Sequence, residues 1–157
     1  RGFYNEILFI DDYAHHPSEI KATMAAAQVQ RGGALPLGRK RRVVAVFQPH
    51  RYSRASTLLD EFATAFDGAD RILVTDIYSA GEVNTANITG ENVKAAIAQH
   101  QSNVEYCPTL EAVKQTLQTS LLPGDIVVFL TAGNLNQVIP DVMAAYQSAA
   151  QPEAALT

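Results

Sequence analysis

The chain has 157 residues, 47% of them hydrophobic and 18% charged, a length and composition that suit one packed domain and exclude a disordered one. Its formal net charge of −4 argues against a default nucleic-acid binder, and its one cysteine, Cys107, excludes an internal disulfide or a CxxC zinc site. The longest apolar run, 126–130, is far too short to cross a bilayer. The first residues do not begin a signal peptide, and the chain opens on Arg1 rather than methionine, which suggests a piece of a longer protein.

In chain order, the first apolar run is 7–10, read as a strand. Pro17 then fits a first helical position, with Glu19 in the first turn and Ile20 and Met24 four apart. Residues 28–42, with three glycines and one proline, read as an irregular stretch. A second strand at 43–47 precedes Leu58, Leu59, Phe62, Ala63 and Phe66, which repeat on one helical face. After a third strand at 72–75, Thr89 is placed as an N-cap, with Ile88 and Val93 spaced as a hydrophobic staple. A fourth strand at 104–107 leads to a second N-cap, Thr109, followed by Leu110, Val113 and Leu117; Pro123-Gly124 ends that helix. A fifth strand at 126–130 precedes a last helix, from near Asn134 to about Tyr146, with a kink or restart at Pro140. The Ala-rich residues 149–157 read as a frayed tail beyond a single domain of residues 1–148. Several runs are continuous rather than alternating and rich in Val and Ile, as strands buried on both faces are. The alternation of strand and helix predicts an α/β fold with a mostly parallel sheet and helices on both faces.

Ligands of open α/β sheets sit beyond the carboxyl ends of the strands. The residues there are Asp11-Asp12-Tyr13-Ala14-His15-His16-Pro17, Gln48-Pro49-His50-Arg51-Tyr52-Ser53-Arg54, Asp76-Ile77-Tyr78-Ser79-Ala80-Gly81-Glu82 and Thr131-Ala132-Gly133-Asn134. Three of the four histidines therefore gather on one edge. Asp11, Asp12, His15 and His16 are metal-ligand types, although adjacent residues rarely hold one ion together; a packed imidazole bonded to backbone is the plainer reading of one histidine. Arg51 and Arg54 are three apart at a helix start, which in a helical turn puts two guanidinium groups and free helical N–H groups on one side, a receptor for carboxylate or phosphate. The alternative is a surface ion pair with Asp60 or Glu61. Arg31 with Arg39-Lys40-Arg41-Arg42 holds five of the twelve basic residues. It has no interleaved aromatics for base stacking and reads as a solvated loop. No GxxxxGK[ST] occurs, so a triphosphate cradle of that kind is absent from this chain.

The run 11–19 resembles the opening of the C-terminal domain of the Mur ligases, and 47–54, 75–82 and Ala132-Gly133-Asn134 agree with it in order and spacing. The resemblance implies a Rossmann-like terminal domain of a three-domain, ATP-dependent, amide-forming enzyme of bacterial peptidoglycan synthesis, and so a cytoplasmic location. Within the family the pattern is nearest the alanine-adding branch, favoured over murein peptide ligase by Tyr13 and the run 78–82. That implies phosphorylation of the lactyl carboxylate of UDP-N-acetylmuramate by ATP, then attack by the amine of L-alanine on the acyl phosphate. ATP and Mg2+ would be held mainly by domains absent from this chain, the Mg2+ mainly by the central one; the ligase's own N-terminal and central domains would be the partners, with no metal, membrane or nucleic acid bound here. The isolated domain is expected to be inactive. By the same resemblance Arg51 and Arg54 match residues that hold the alanine carboxylate, and Tyr13 and His15 match residues lining the amino-acid site. His15 would orient the amine or accept its proton. Asp12 matches a position near the ATP ribose; His16 and His50 would support the site from behind. Two departures stand out. Thr131 occupies a position where the family usually has glycine, which weakens the expectation of phosphate contact there, and the basic stretch 32–42 is longer than expected. Two rival readings rest on the residues alone: a stand-alone nucleotide or amino-acid binding module, and a metal-dependent hydrolase using Asp11, Asp12, His15 and His16.

Overall fold

The continuous apolar runs become strands because both of their faces are covered. The computed structural model describes residues 2–4, 6–32 and 40–156, with side chains at 6–31 and 40–147. Six strands form one sheet: β1 (Gly2–Tyr4), β2 (Ile7–Asp12), β3 (Val43–Phe47), β4 (Arg71–Val74), β5 (Val104–Tyr106) and β6 (Ile126–Leu130), in the order β1-β2-β6-β3-β4-β5. The last five are mutually parallel, and β1 adds an antiparallel edge to β2. That sixth strand corrects the five read from the sequence; three residues are too few to show a period. Between the strands lie α1 (Pro17–Val29), α2 (Tyr52–Thr57), α3 (Leu59–Ala63), α4 (Gly90–Ala98), α5 (Leu110–Ser120) and α6 (Ile139–Leu156). Thr89 and Thr109 cap α4 and α5, accepting from Asn92 N–H and Ala112 N–H. The last helical stretch restarts where Pro140 demanded it: a 3-10 turn, Leu135–Val138, precedes α6. Among the described residues no helix is long and apolar enough to cross a membrane.

Alternate residues of the central strands serve two cores. Val43, Ala45 and Phe47 of β3 pack with Ile20 and Met24 of α1, Phe62 of α3, and Val93 and Ile97 of α4. Val44 and Val46 pack on the other face with Val113 and Leu117 of α5, and with Ile139 and Val142 of α6. The Phe47 ring lies 5.3 Å from that of Phe62 and 5.2 Å from that of Phe66, centroid to centroid, offset contacts that favour aromatic packing.

Two residues of the basic stretch, Arg31 and Arg42, are built into this frame, while Lys40 is exposed. Arg42 makes a two-point contact with the buried Asp125, Nε to Oδ1 at 2.9 Å and Nη2 to Oδ2 at 2.6 Å, joining the starts of β3 and β6. Arg31 pairs with Asp70 at 2.7 Å, and Asp70 also accepts the Val43 N–H at 2.8 Å. Arg39 lies outside the described residues.

Register aligns the far ends. Asp12 is opposite Leu130, Leu130 opposite Phe47, Phe47 opposite Val74, and Val74 opposite Tyr106. All four polar segments therefore leave the sheet along one edge.

Candidate functional site

The turn after β2 is shaped by two carboxylates. Asp12 Oδ1 accepts the Ala14 N–H at 2.8 Å, and Oδ2 accepts the Thr23 hydroxyl at 3.2 Å. This is an Asx turn that fixes the exit of the chain. Glu19 Oε1 accepts the N–H groups of His16 at 3.1 Å and His15 at 3.4 Å. Those contacts hold the Glu19 carboxyl below its ordinary pKa and fix the start of α1, where Pro17 needs no amide partner. His15 Nδ1 lies 3.0 Å from the Tyr13 carbonyl. A carbonyl only accepts, so Nδ1 carries a proton, and the neutral ring keeps its lone pair on Nε2. The exposed Tyr13 ring meets the His15 ring edge-on at 5.5 Å.

The segment after β3 begins with a buried knot. Gln48 Oε1 accepts from the Thr131 hydroxyl at 2.7 Å and from the N–H groups of Asn134 and Leu135 at 3.0 Å each, while Nε2 donates to Asn134 Oδ1 at 2.8 Å. The Gly133 N–H donates to the Thr131 hydroxyl at 3.0 Å. Three consecutive amides of the β6 turn are therefore engaged within the chain, and Thr131 is one of the groups that engages them. A side chain on Gly133 would come within 2.7 Å of both Gln48 and the Tyr78 ring, so glycine there lets Tyr78 lie against the turn.

Arg51 and Arg54 come together, but not as two residues of one helix. Arg51 is the residue before α2, with φ 74° and ψ 134°, a conformation rare for a residue with a side chain. Its N–H donates to the Tyr78 carbonyl at 2.8 Å, and its carbonyl accepts from Ala55. Arg54 lies inside α2; its Nη1 donates to His50 Nδ1 at 3.0 Å and to the His50 carbonyl at 3.2 Å. Both arginines line a shallow cleft of about 320 Å3 with His16, Ser53, Thr57 and Leu58. Neither pairs with Asp60 or Glu61, and among the described residues no hydrogen bond or ion pair engages the Arg51 guanidinium.

The helical amides are not all free, which corrects the expected receptor. Glu82 reaches α2 from a turn in which Ala80 (φ 51°) and Gly81 (φ 85°) both have positive φ and the Glu82 N–H closes on the Ser79 carbonyl at 3.0 Å. Its carboxylate takes the Ser53 N–H at 3.1 Å and the Ser53 hydroxyl at 2.6 Å. These bonds, with the charge of Arg51, lower its pKa. His50 is pushed down as well, first by burial and then by the charge of Arg54. Its ring is 5.8 Å from that of His15 and stacks on Tyr78 at 5.6 Å, with 13° between planes.

The histidines and arginines singled out in the sequence thus meet on one edge, while Asp12 turns its carboxylate toward α1 and Thr23. Among the described residues no group of three His, Cys, Asp or Glu side chains is placed to hold a metal ion; Asp12 and His15 are instead bonded into their own turn. Gln48, Tyr78 and Glu82 were present in the recognised motifs but carried no expected role. These partners lie 28 to 87 residues away, a distance that no local pattern displays.

The structure defines an open, mostly parallel α/β domain whose strand ends bring Arg51, Arg54 and three histidines to one edge, around a cleft lined by both arginines and His16. The chain belongs to the family described as Mur ligase, glutamate ligase domain, whose model matches residues 1–133. It is 57% identical over 144 residues to the UDP-N-acetylmuramate–L-alanine ligase of Thermosynechococcus vestitus, covering 92% of this chain and 30% of that protein. It is 54% identical over 143 residues to the ligase of the same name from Gloeothece citriformis, covering 91% of this chain and 28% of that protein. Among solved structures, UDP-N-acetylmuramate–alanine ligase from Thermotoga maritima matches with a TM-score of 0.70 at 24% identity, over 91% of this chain and 27% of that one, a likeness of fold. The chain spans about 30% of the length of the curated relatives it matches.

Proposed function

We propose that this chain is the amino-acid-receiving domain of an ATP-dependent ligase that joins L-alanine to UDP-N-acetylmuramate through an acyl phosphate, in bacterial peptidoglycan synthesis and hence in the cytoplasm. The carrying observation is the cleft in which Arg51 presents an unengaged guanidinium beside Arg54. A guanidinium fork matches a carboxylate in shape and charge, and the relatives at 51–57% identity favour L-alanine over the murein peptide alternative. In this reading Tyr13 and His15 line the amine side of the pocket. The Nε2 lone pair of His15 orients the incoming amine or accepts its proton. Asp12 receives a ribose hydroxyl of ATP on a carboxylate lone pair not used by Ala14 or Thr23, and His16 flanks the carboxylate site. The engaged amides of the β6 turn leave little donor capacity for a phosphate there. In this reading Mg2+ and the triphosphate are held mainly by the other domains of the ligase, in keeping with the lack of a P-loop motif in this sequence. Those domains are this chain's partners, and closure against them keeps the acyl phosphate from water.

The test is Arg51→Ala in the complete ligase. Losing one charge-assisted contact costs about 1.5–3 kcal/mol, so KM for L-alanine should rise roughly ten- to a hundredfold while KM for the UDP-sugar stays put. An equal rise in both constants would remove Arg51 from the amino-acid site.

A further inference from the structure

We propose that His50 is a positioning residue for amino-acid recognition: its neutral imidazole, protonated at Nε2, clamps the Arg54 guanidinium in the orientation that receives the substrate carboxylate, and a second proton releases the clamp. The proposal rests on the amino-acid-site reading above and adds to it the group that sets the arginine.

The tautomer follows from donor and acceptor logic. Arg54 Nη1 lies 3.0 Å from His50 Nδ1. A guanidinium has five donors and no acceptor, so Nδ1 must offer its lone pair and the proton sits on Nε2. The same Nη1 also donates to the His50 carbonyl at 3.2 Å, so one nitrogen is held from two sides. Among the described residues, the other nitrogens of Arg54 have no partner and stay available to a ligand. His50 thus holds the opposite tautomer to His15, whose Nδ1 carries the proton, although the two rings are only 5.8 Å apart.

The imidazole cannot easily turn away. It stacks on Tyr78, and the two residues form a parallel bridge, with Tyr78 N–H on the Pro49 carbonyl and Arg51 N–H on the Tyr78 carbonyl, both at 2.8 Å. The ionisable groups facing it are Arg51 and Arg54 from the start of α2, His15 from the turn before α1, Tyr78 beneath it, and Glu82 from the 79–82 turn. Both arginines and His15 oppose a charge on His50, and Glu82 favours one. A proton on Nδ1 would point an N–H at an N–H and place two cations in contact, so Arg54 would swing off the clamp. Affinity for the amino-acid carboxylate should then fall with pH while the UDP-sugar site is untouched.

The experiment measures KM for L-alanine and for UDP-N-acetylmuramate in the complete ligase across about pH 5 to 8, where histidine titrates, for the parent and for His50→Asn. The Asn Oδ1 replaces Nδ1 as an acceptor that does not titrate. The substrate amine contributes the same acid limb to both enzymes, so the difference between the profiles isolates His50. We expect similar L-alanine KM values at the upper end of the range. Below it, the parent's KM should climb away from that of the variant by up to about tenfold per pH unit, with KM for the UDP-sugar parallel in both. Superimposable profiles would overturn the proposal. Imidazole nitrogen chemical shifts of the parent ligase give a second reading that needs no turnover: a neutral His50 protonated at Nδ1 would overturn it even if His50→Asn misfolded, and protonation at Nε2 supports it. Absence of any L-alanine-dependent ADP release by the parent would sink the ligase reading instead, leaving the tautomer to be judged by the shifts alone.

Discussion

Arg51 shows how a single residue can trade stability for position. Its φ of 74° belongs to a region that costs a residue with a Cβ on the order of 1–3 kcal/mol. Two backbone contacts, to Tyr78 and from Ala55, hold it there. A residue in the helix proper would project from the α2 cylinder; the residue before it, with this reversed φ, sends its side chain to the mouth of the cleft beside Arg54. Arg51→Gly should remove the steric strain while adding backbone entropy to the unfolded chain, about 0.5–1 kcal/mol in the opposite sense. The net expectation is a gain in stability of about 1 kcal/mol, or roughly 2–4 °C in Tm for a chain of this size, with loss of L-alanine affinity. Arg51→Ala, which keeps the strain, should show the loss without the gain. Thermal unfolding of the three proteins side by side decides it; a Gly variant no more stable than the Ala variant would mean that the backbone stores no strain at this position.

At the scale of elements, β3 and β6 are tied at both ends by groups with opposite purposes. Arg42 and Asp125 join their starts; Gln48 and Thr131 join their ends under the site. Asp125 is buried, so Arg42→Ala would leave a carboxylate uncompensated, and breaking such a pair costs about 3 kcal/mol or more. Urea unfolding should show that loss, and Asp125→Asn in the same chain should return part of it by removing the charge. A loss below about 1 kcal/mol would reduce the pair to a surface contact. These ties also mark where the sequence stopped being readable. Short apolar runs revealed five strands, and Thr89, Thr109 and Pro140 marked the helix starts, because each signal is local. Arg42 read as solvent-facing because its partner is 83 residues away. The apolar spacing from Leu58 to Phe66 appears as one short helix, α3, running into a turn, since that spacing recorded a buried face and not unbroken hydrogen bonding. For the site, the arginines and histidines were legible as types and as neighbours on one sheet edge. The reversed φ of Arg51, the occupation of Ser53 by Glu82 and the two opposed tautomers depend on contacts between segments, which no spacing encodes.

Taken over the whole molecule, the shifted groups set a pH profile whose two acid steps have different meanings. His50, Glu19 and Glu82 all have lowered pKa values, as does Glu111 beside Lys114. For each of them the unfolded chain binds more protons than the folded one between the two pKa values, so stability rises with pH through that window. Their contributions are complete above the unfolded pKa and lost as pH falls through the folded one. For His50 the decline begins below about 6.5; for the glutamates it begins near about 4.3. On the alkaline side Tyr106 is raised to about 12 by burial and by its hydrogen bond to Asp76. Its contribution is present below the unfolded value near about 10 and disappears as pH climbs through the folded one. The urea midpoint should therefore be flat from about pH 7 to 9, fall slightly below about pH 6, and fall again below about pH 4.5. His50→Asn should erase the first step and keep the second, because its neutral amide has nothing to protonate while the carboxylates remain bonded to Ser53, His15 and His16. If the first step persisted in that variant, another group would be gaining the proton, and the acid sensitivity of the fold would be separate from the clamp on Arg54. If it disappears together with the acid rise in L-alanine KM, one imidazole couples the stability of this domain to the grip of its cleft.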